Sequence, residues 1–141
     1  MTPTEAVSIS HVSELLAANG YEVTEHGDGI LRVRDVETGV SFQAALQGNV
    51  LYLSVTLTTC PSGEITPALM HTMLSATNGI STSSFQLYDA GNGTTAVALN
   101  NFCTLQNMGP EDHDDILSLA GYLMADVMEA RDLLVPARAA H

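Results

Sequence analysis

The sequence predicts an α+β domain built on one antiparallel sheet, and three observations carry that prediction. Apolar and polar residues alternate in consecutive short runs, each closed by a glycine-containing turn. The runs are preceded by a segment with helical apolar spacing. They are followed by a second helical segment, a further strand pair, and a long amphipathic stretch. The predicted order is helix, four-strand antiparallel meander, helix, β-hairpin and long C-terminal helix. One face of the sheet is covered by helices. With 141 residues and 45% hydrophobic residues, residues 1–141 are expected to form a single domain with a real core.

The first helix is read in SHVSELLAANG, with Ser10 as its cap and Ile9, Val12 and Leu16 on one face. Asn19–Gly20 supplies a left-handed stop. Thr2-Pro3-Thr4-Glu5 has the form of a capping box, but Val7, Ser8, Ile9 and Ser10 are poor helix formers and favour the later start.

The period then changes to two. Tyr21 and Val23 alternate with Glu22 and Thr24, and the turn His26-Gly27-Asp28-Gly29 leads into Leu31 and Val33. Glu37-Thr38-Gly39 precedes Val40, Phe42, Ala44 and Leu46; Gln47-Gly48-Asn49 precedes Leu51, Leu53, Val55 and Leu57. The apolar set marks the core face. Arg32, Arg34, Gln43 and Tyr52 fall on the opposite, polar face.

Cys60-Pro61-Ser62-Gly63 is read as a break. Thr66 and Pro67 form a cap and first-turn proline. Leu69, Met70, Met73, Leu74 and Thr77 share an arc, with Asn78–Gly79 ending the helix. Phe85 and Leu87, the turn Ala90-Gly91-Asn92-Gly93, and Val97 and Leu99 make a hairpin. Gly109–Pro110 opens the final helix, its acidic residues at the positive end. Two stripes run along that helix. Ile116, Leu119, Leu123, Val127 and Leu134 form one, and Leu117, Ala120, Met124 and Met128 the other. Together they span roughly half the circumference, more than the ~100° one sheet requires. The tail Val135–His141 is expected to fray.

Composition narrows function. Sixteen acidic residues face four arginines, with no lysine, for a net charge of −12. Such a field repels phosphate backbones, so no nucleic-acid partner is expected. The absence of lysine removes Schiff-base chemistry. The N-terminus shows no secretory leader and no apolar run is long enough for a membrane span, so cytoplasm is the expected compartment. Cys60 and Cys103 have no metal-site spacing and are read as buried or half-buried thiols.

The densest ligand-type cluster, Glu111-Asp112-His113-Asp114-Asp115, sits on consecutive helical positions that point apart. His11 and His71 fall on polar helix sides, and no histidine has a partner at metal-binding spacing. No nucleophile elbow is present, and Gly91-Asn92-Gly93 reads as a hairpin turn rather than a phosphate loop. No enzyme activity, cofactor or metal is therefore expected, although a small metal-dependent enzyme is the alternative of another class. The methionines beside the broad stripe suit an adaptable protein-binding face. Met70, Met73, Leu117, Met124 and Met128 are the expected partner or dimer interface.

With these elements in place, the chain resembles the secretion-chaperone-like superfamily. That group includes YbjN-like bacterial proteins and the Tir-chaperone type of type III secretion chaperones. The local likeness lies in LMHTMLSATNGISTSSFQLYDAGNGTTAVAL and in HVSELLAANGYEVTEHGDGILRV. The first is similar to the family's leucine-rich helix ending in Asn78, with Phe85 and Leu87 on the following strand. Asn78–Gly79 and Ser81-Thr82-Ser83-Ser84 look closer to the YbjN-like type. The resemblance implies a non-enzymatic homodimer. In the chaperone branch it would hold a client; in the YbjN-like branch its role would be regulatory.

One outcome follows from the scattered acidic cluster. Calorimetric titration with zinc, manganese and calcium is expected to show no stoichiometric micromolar site. A tight site lost in His113→Ala would contradict it.

Overall fold

The computed structural model describes residues 8–27 and 29–139. Helix α1 spans Ile9–Ala17 and is capped by Ser8 rather than Ser10. A cap hydroxyl serves the N–H three positions on, and Ser8 Oγ accepts from His11 N–H at 3.2 Å. Ser10 is already inside the first turn, and exposed. The capping box at Thr2–Glu5 lies outside the described residues. Gly20 takes φ +92°, so the left-handed stop is where the sequence places it.

Strands β1 (Tyr21–Glu25), β2 (Ile30–Asp35), β3 (Ser41–Gln47) and β4 (Val50–Pro61) follow. Strands β5 (Ser84–Gly91) and β6 (Thr94–Thr104) complete a six-stranded antiparallel sheet, ordered β1-β2-β3-β4-β6-β5. Pairings such as Val23↔Val33, Val33↔Phe42 and Ala44↔Leu53 keep the apolar residues of successive strands on one face. Phe42, Leu53, Val55 and Leu99 are all buried, whereas Arg32, Arg34, Gln43 and Tyr52 face outward. The predicted register therefore holds through the meander.

Strand β4 runs through Cys60 to Pro61 instead of breaking before it, and a 3-10 turn at Ser62–Glu64 follows. Proline at the strand's last position removes one ladder donor where fewest bonds depend on it. Helix α2 spans Pro67–Leu74, with Thr66 Oγ1 accepting from Leu69 N–H at 3.1 Å. It stops at Leu74 rather than Asn78. The Asn78 amide donates to Met73 C=O at 2.6 Å, and Ser75 Oγ accepts from Thr77 N–H at 3.3 Å. Side chains that offer the backbone such local partners end helices early. Leu74 is left 78% exposed as a result. Helix α3 spans Pro110–Ala139, so its backbone runs past Val135, where fraying was expected.

The chain forms two compact units, Met1–Ser54 with Asn101–Gly121 and Val55–Asn100 with Tyr122–His141. In the first, α1 packs on β1 and β2 through buried Val12 and Leu16. Asn49 ties the β3–β4 turn to Leu105, its C=O accepting from Leu105 N–H at 2.7 Å and its amide donating to Leu105 C=O at 3.1 Å. Asn101, buried on β6, donates to Leu119 C=O at 3.1 Å and so fixes the strand against α3. In the second unit, Met73, Val97 and Leu134 form a core joined by Leu57, Ile65, Leu69 and Phe85. No helix among the described residues is long and apolar enough to cross a membrane.

Leu53 is 1% exposed and Tyr52, its neighbour, 40%. Leu53→Ala is expected to cost about 2–5 kcal/mol in denaturant unfolding, and Tyr52→Ala no more than about 1 kcal/mol. Equal costs would show the register assignment to be wrong.

Candidate functional site

Of the five residues predicted to make an interface, two are buried within the chain. Met73 is buried in the second unit's core beside Val97 and Leu134. Met124 is buried on α3, Leu117 and Met70 are half-buried, and Met128 is 41% exposed. The wide apolar arc of α3 is satisfied within the chain: Ile116, Leu119, Ala120, Leu123, Met124 and Val127 are all buried. Its second stripe does not await a partner along its whole length. Only Met128 and part of Leu117 remain at the surface.

The apolar surface that remains lies elsewhere. In the second unit an open cleft of about 610 Å³ is lined by Ile65, Met70, Leu87 and Tyr88, together with the polar Ser62, Asp89 and Thr95 and the β5–β6 turn. Strand β5 forms one wall and is an edge of the sheet. All its residues except Phe85 are exposed. Tyr88 is held by its hydrogen bond to Gln86 Oε1, while its own oxygen accepts from the Asn100 amide at 3.0 Å. The opposite wall is anchored by Ser62, whose N–H donates to Gly93 C=O at 2.8 Å and whose hydroxyl meets Thr95 Oγ1 at 2.7 Å. Asn92 adopts φ +55° between Gly91 and Gly93, a tight hairpin turn rather than a phosphate cradle. This cleft can take an apolar side chain while the strand edge offers backbone donors and acceptors.

Two aspartates organise the loops: Asp112, which the sequence marks only as part of the acidic helix start, and Asp126, which it did not single out. Asp112 Oδ2 accepts from the backbone N–H groups of Gln106, Asn107 and Met108 at 2.8, 2.9 and 2.8 Å. Asp126 accepts from Ser81 N–H at 2.8 Å, Ser81 Oγ at 3.0 Å, Thr82 N–H at 3.2 Å and Ser83 N–H at 3.1 Å. Burial pushes both carboxyls up, but the hydrogen bonds together outweigh it and hold each below its ordinary value. These bonds commit Oδ2 of Asp112 and both carboxylate oxygens of Asp126 to the loops. A signal was present in the sequence. Asp126 falls on the apolar face shared by Leu119, Leu123 and Ala130, and a carboxylate there demands partners.

The rest of the acidic cluster disperses. Glu111, Asp114 and Asp115 are exposed, and His113 is half-buried with its ring 5.3 Å from that of His11. His11 is thus turned partly inward rather than lying on a polar side. Among the described residues no group of three or more His, Cys, Asp or Glu side chains could hold a metal ion. Cys60 and Cys103 are both half-buried free thiols. Burial, with Asp115 and Asp112 adding to it, pushes the Cys103 thiol up to about 11. Burial and Glu64 push Cys60 up as well. Protonated thiols are poor nucleophiles.

The aspartates predict acid sensitivity. Their folded-state values lie below the unfolded one, so the unfolded chain binds more protons as pH falls through that window. Their stabilisation is complete above about pH 4 and is lost as pH falls through the folded values. Asp126→Asn should cost about 2–3 kcal/mol at neutral pH and flatten the acid limb of a stability–pH curve. An unchanged acid limb would show that the Asp126 carboxylate contributes nothing.

No protein-family profile matches the chain. No curated protein matches its sequence. Among solved structures, the chain is similar to YbjN from E. coli, described there as a proposed transcription regulator. The TM-score is 0.63 at 13% identity, over 94% of this chain and 92% of that one. At this identity the likeness establishes a YbjN-like fold. It does not extend to the Tir-chaperone type named beside it in the sequence resemblance.

Proposed function

We propose that this chain is a non-enzymatic protein-binding module that works as a homodimer and holds or regulates a partner protein. The observation that carries the reading is strand β5, an exposed sheet edge beside an open cleft where Ile65, Met70 and Leu87 give apolar surface among polar neighbours such as Ser62, Asp89 and Thr95. Edge strands of this kind ordinarily carry a lysine, a proline or an inward charge that discourages pairing. Strand β5 has Asp89, engaged at the turn by accepting from Gly91 N–H at 2.9 Å, and a register shift between Asp89 and Gly91; both lie at its turn end and leave Ser84–Tyr88 without such a device. An extended partner segment could add as a further strand and place an apolar side chain against Ile65, Met70 and Leu87.

The likeness to YbjN favours a regulatory role over the holding of a secreted client. The net charge of −12 favours a protein partner over nucleic acid. Tyr88, 47% exposed on the β5 wall, is the position to test. A photo-activatable benzoyl-phenylalanine placed there, in cells making the protein, is expected to capture a discrete polypeptide by mass spectrometry. The same probe at exposed Glu37 should not. Identical capture from both positions, or none from Tyr88, would sink the reading.

A further inference from the structure

In the first unit, the outward residues of neighbouring strands fall into rows across the sheet. Ile30 pairs with Ala45, Ala45 pairs with Tyr52, and the Tyr52 ring meets that of Phe102 with centroids 5.9 Å apart. The result is one apolar row crossing β2, β3, β4 and β6 on the face that the core does not use. Ile30 is 37% exposed, Tyr52 40% and Phe102 64%. The adjoining row is polar and uncharged except for one arginine: Thr24, Arg32, Gln43 and Ser54 stand opposite one another. Beyond it Glu22 faces Arg34 in an exposed ion pair at 3.4 Å.

The charge on this face differs from that of the molecule. Its three charged side chains on β1 and β2, Glu22, Arg32 and Arg34, sum to a single positive charge, within a chain carrying −12. Two copies of so acidic a chain repel each other in most orientations. The exposed residues of α3, where Met128 lies, include Glu111, Asp114, Asp115, Glu129 and Asp132 against the one described cation Arg131, so that two copies meeting there would bring mostly carboxylates together. The open face of β2, β3, β4 and β6 would not. It combines exposed aromatic surface with no net negative charge, and its apolar row is self-complementary about a two-fold axis.

We propose that this face is the homodimer interface, occupied by the same face of a second copy. The proposal rests on the homodimer part of the functional reading and moves the contact from the methionine-bearing helices to the sheet. Stacked sheets lie about 10 Å apart, so the Tyr52 and Phe102 rings of one copy fill the space against those of the other. Four strands at about 4.8 Å spacing make a small interface, at or below about 1,200 Å² in total, the size of a weak and reversible contact. Because the contact is apolar and the surrounding field repulsive, salt tightens it by screening the repulsion.

Sedimentation velocity tests this, with the full chain followed from micromolar to about 0.5 mM and in about 0.05 against about 0.5 M NaCl. The wild type is expected to go from monomer to dimer over that range and to dimerise more tightly in high salt. Phe102→Glu, at a position exposed enough to keep the fold by circular dichroism, should weaken dimerisation at least tenfold. Met128→Glu should leave it unchanged. A dimer insensitive to Phe102→Glu but broken by Met128→Glu overturns the sheet-face proposal and leaves the homodimer reading standing. A wild type that stays monomeric throughout overturns both. A dimer that loosens with salt would mean that ion pairs hold it, which also contradicts the apolar contact argued from Tyr52 and Phe102.

Discussion

A strand shows alternate residues to opposite faces, and that pleat is the constraint on which this structure depends. A slip of one residue in β3 or β4 would bring Gln43 and Tyr52 into the core and turn Phe42 and Leu53 out to water. The pairings Leu31↔Ala44 and Ala44↔Leu53 prevent it, because together they line up buried side chains across three strands. The same register builds the reverse side. The row from Ile30 to Phe102 exists only because the apolar core on the other face has already set which residues oppose one another.

Helix α3 shows how polar groups are accommodated once that core exists. Asp112 and Asp126 are each nearly inaccessible, 3% and 2% exposed, and a lone carboxylate in such a place would be strongly unfavourable. Each is instead saturated by consecutive backbone N–H groups of a loop that has no regular ladder of its own. The exchange is mutual. The loops at 106–108 and 81–83 gain an acceptor for donors that would otherwise go unpaired, and the carboxylates gain a shell that replaces water. This arrangement gives Asp112 and Asp126 a structural role.

The proposed function rests on two surfaces. The exposed edge of β5 with its cleft belongs to one unit, and the aromatic row of the open sheet face to the other. They differ in kind. An edge strand recognises extended backbone and is tolerant of sequence, whereas an aromatic row demands shape and register from what covers it. A module carrying both could hold its own copy by one and a different polypeptide by the other.

Period, turn chemistry and charge were legible in the amino-acid sequence, because each is a local property. The alternation at Val40–Leu46 and Leu51–Leu57 determined the meander, its register and the membership of its two faces. Gly20, Gly39 and Gly48 marked turns through the positive φ that only glycine adopts readily. Helix ends were less legible. Ser8 displaced Ser10 as a cap, and Asn78 ended α2 at Leu74, since competing side-chain hydrogen bonds are settled by geometry a few residues away. Which apolar residues stay at the surface was the least legible. Periodicity counts how much of a helix is apolar, but only packing decides what covers it. The folded chain used Met73 and Met124 for its own core, and left Tyr52 and Phe102, distant in sequence and paired only across β4 and β6, as the aromatic surface facing outward.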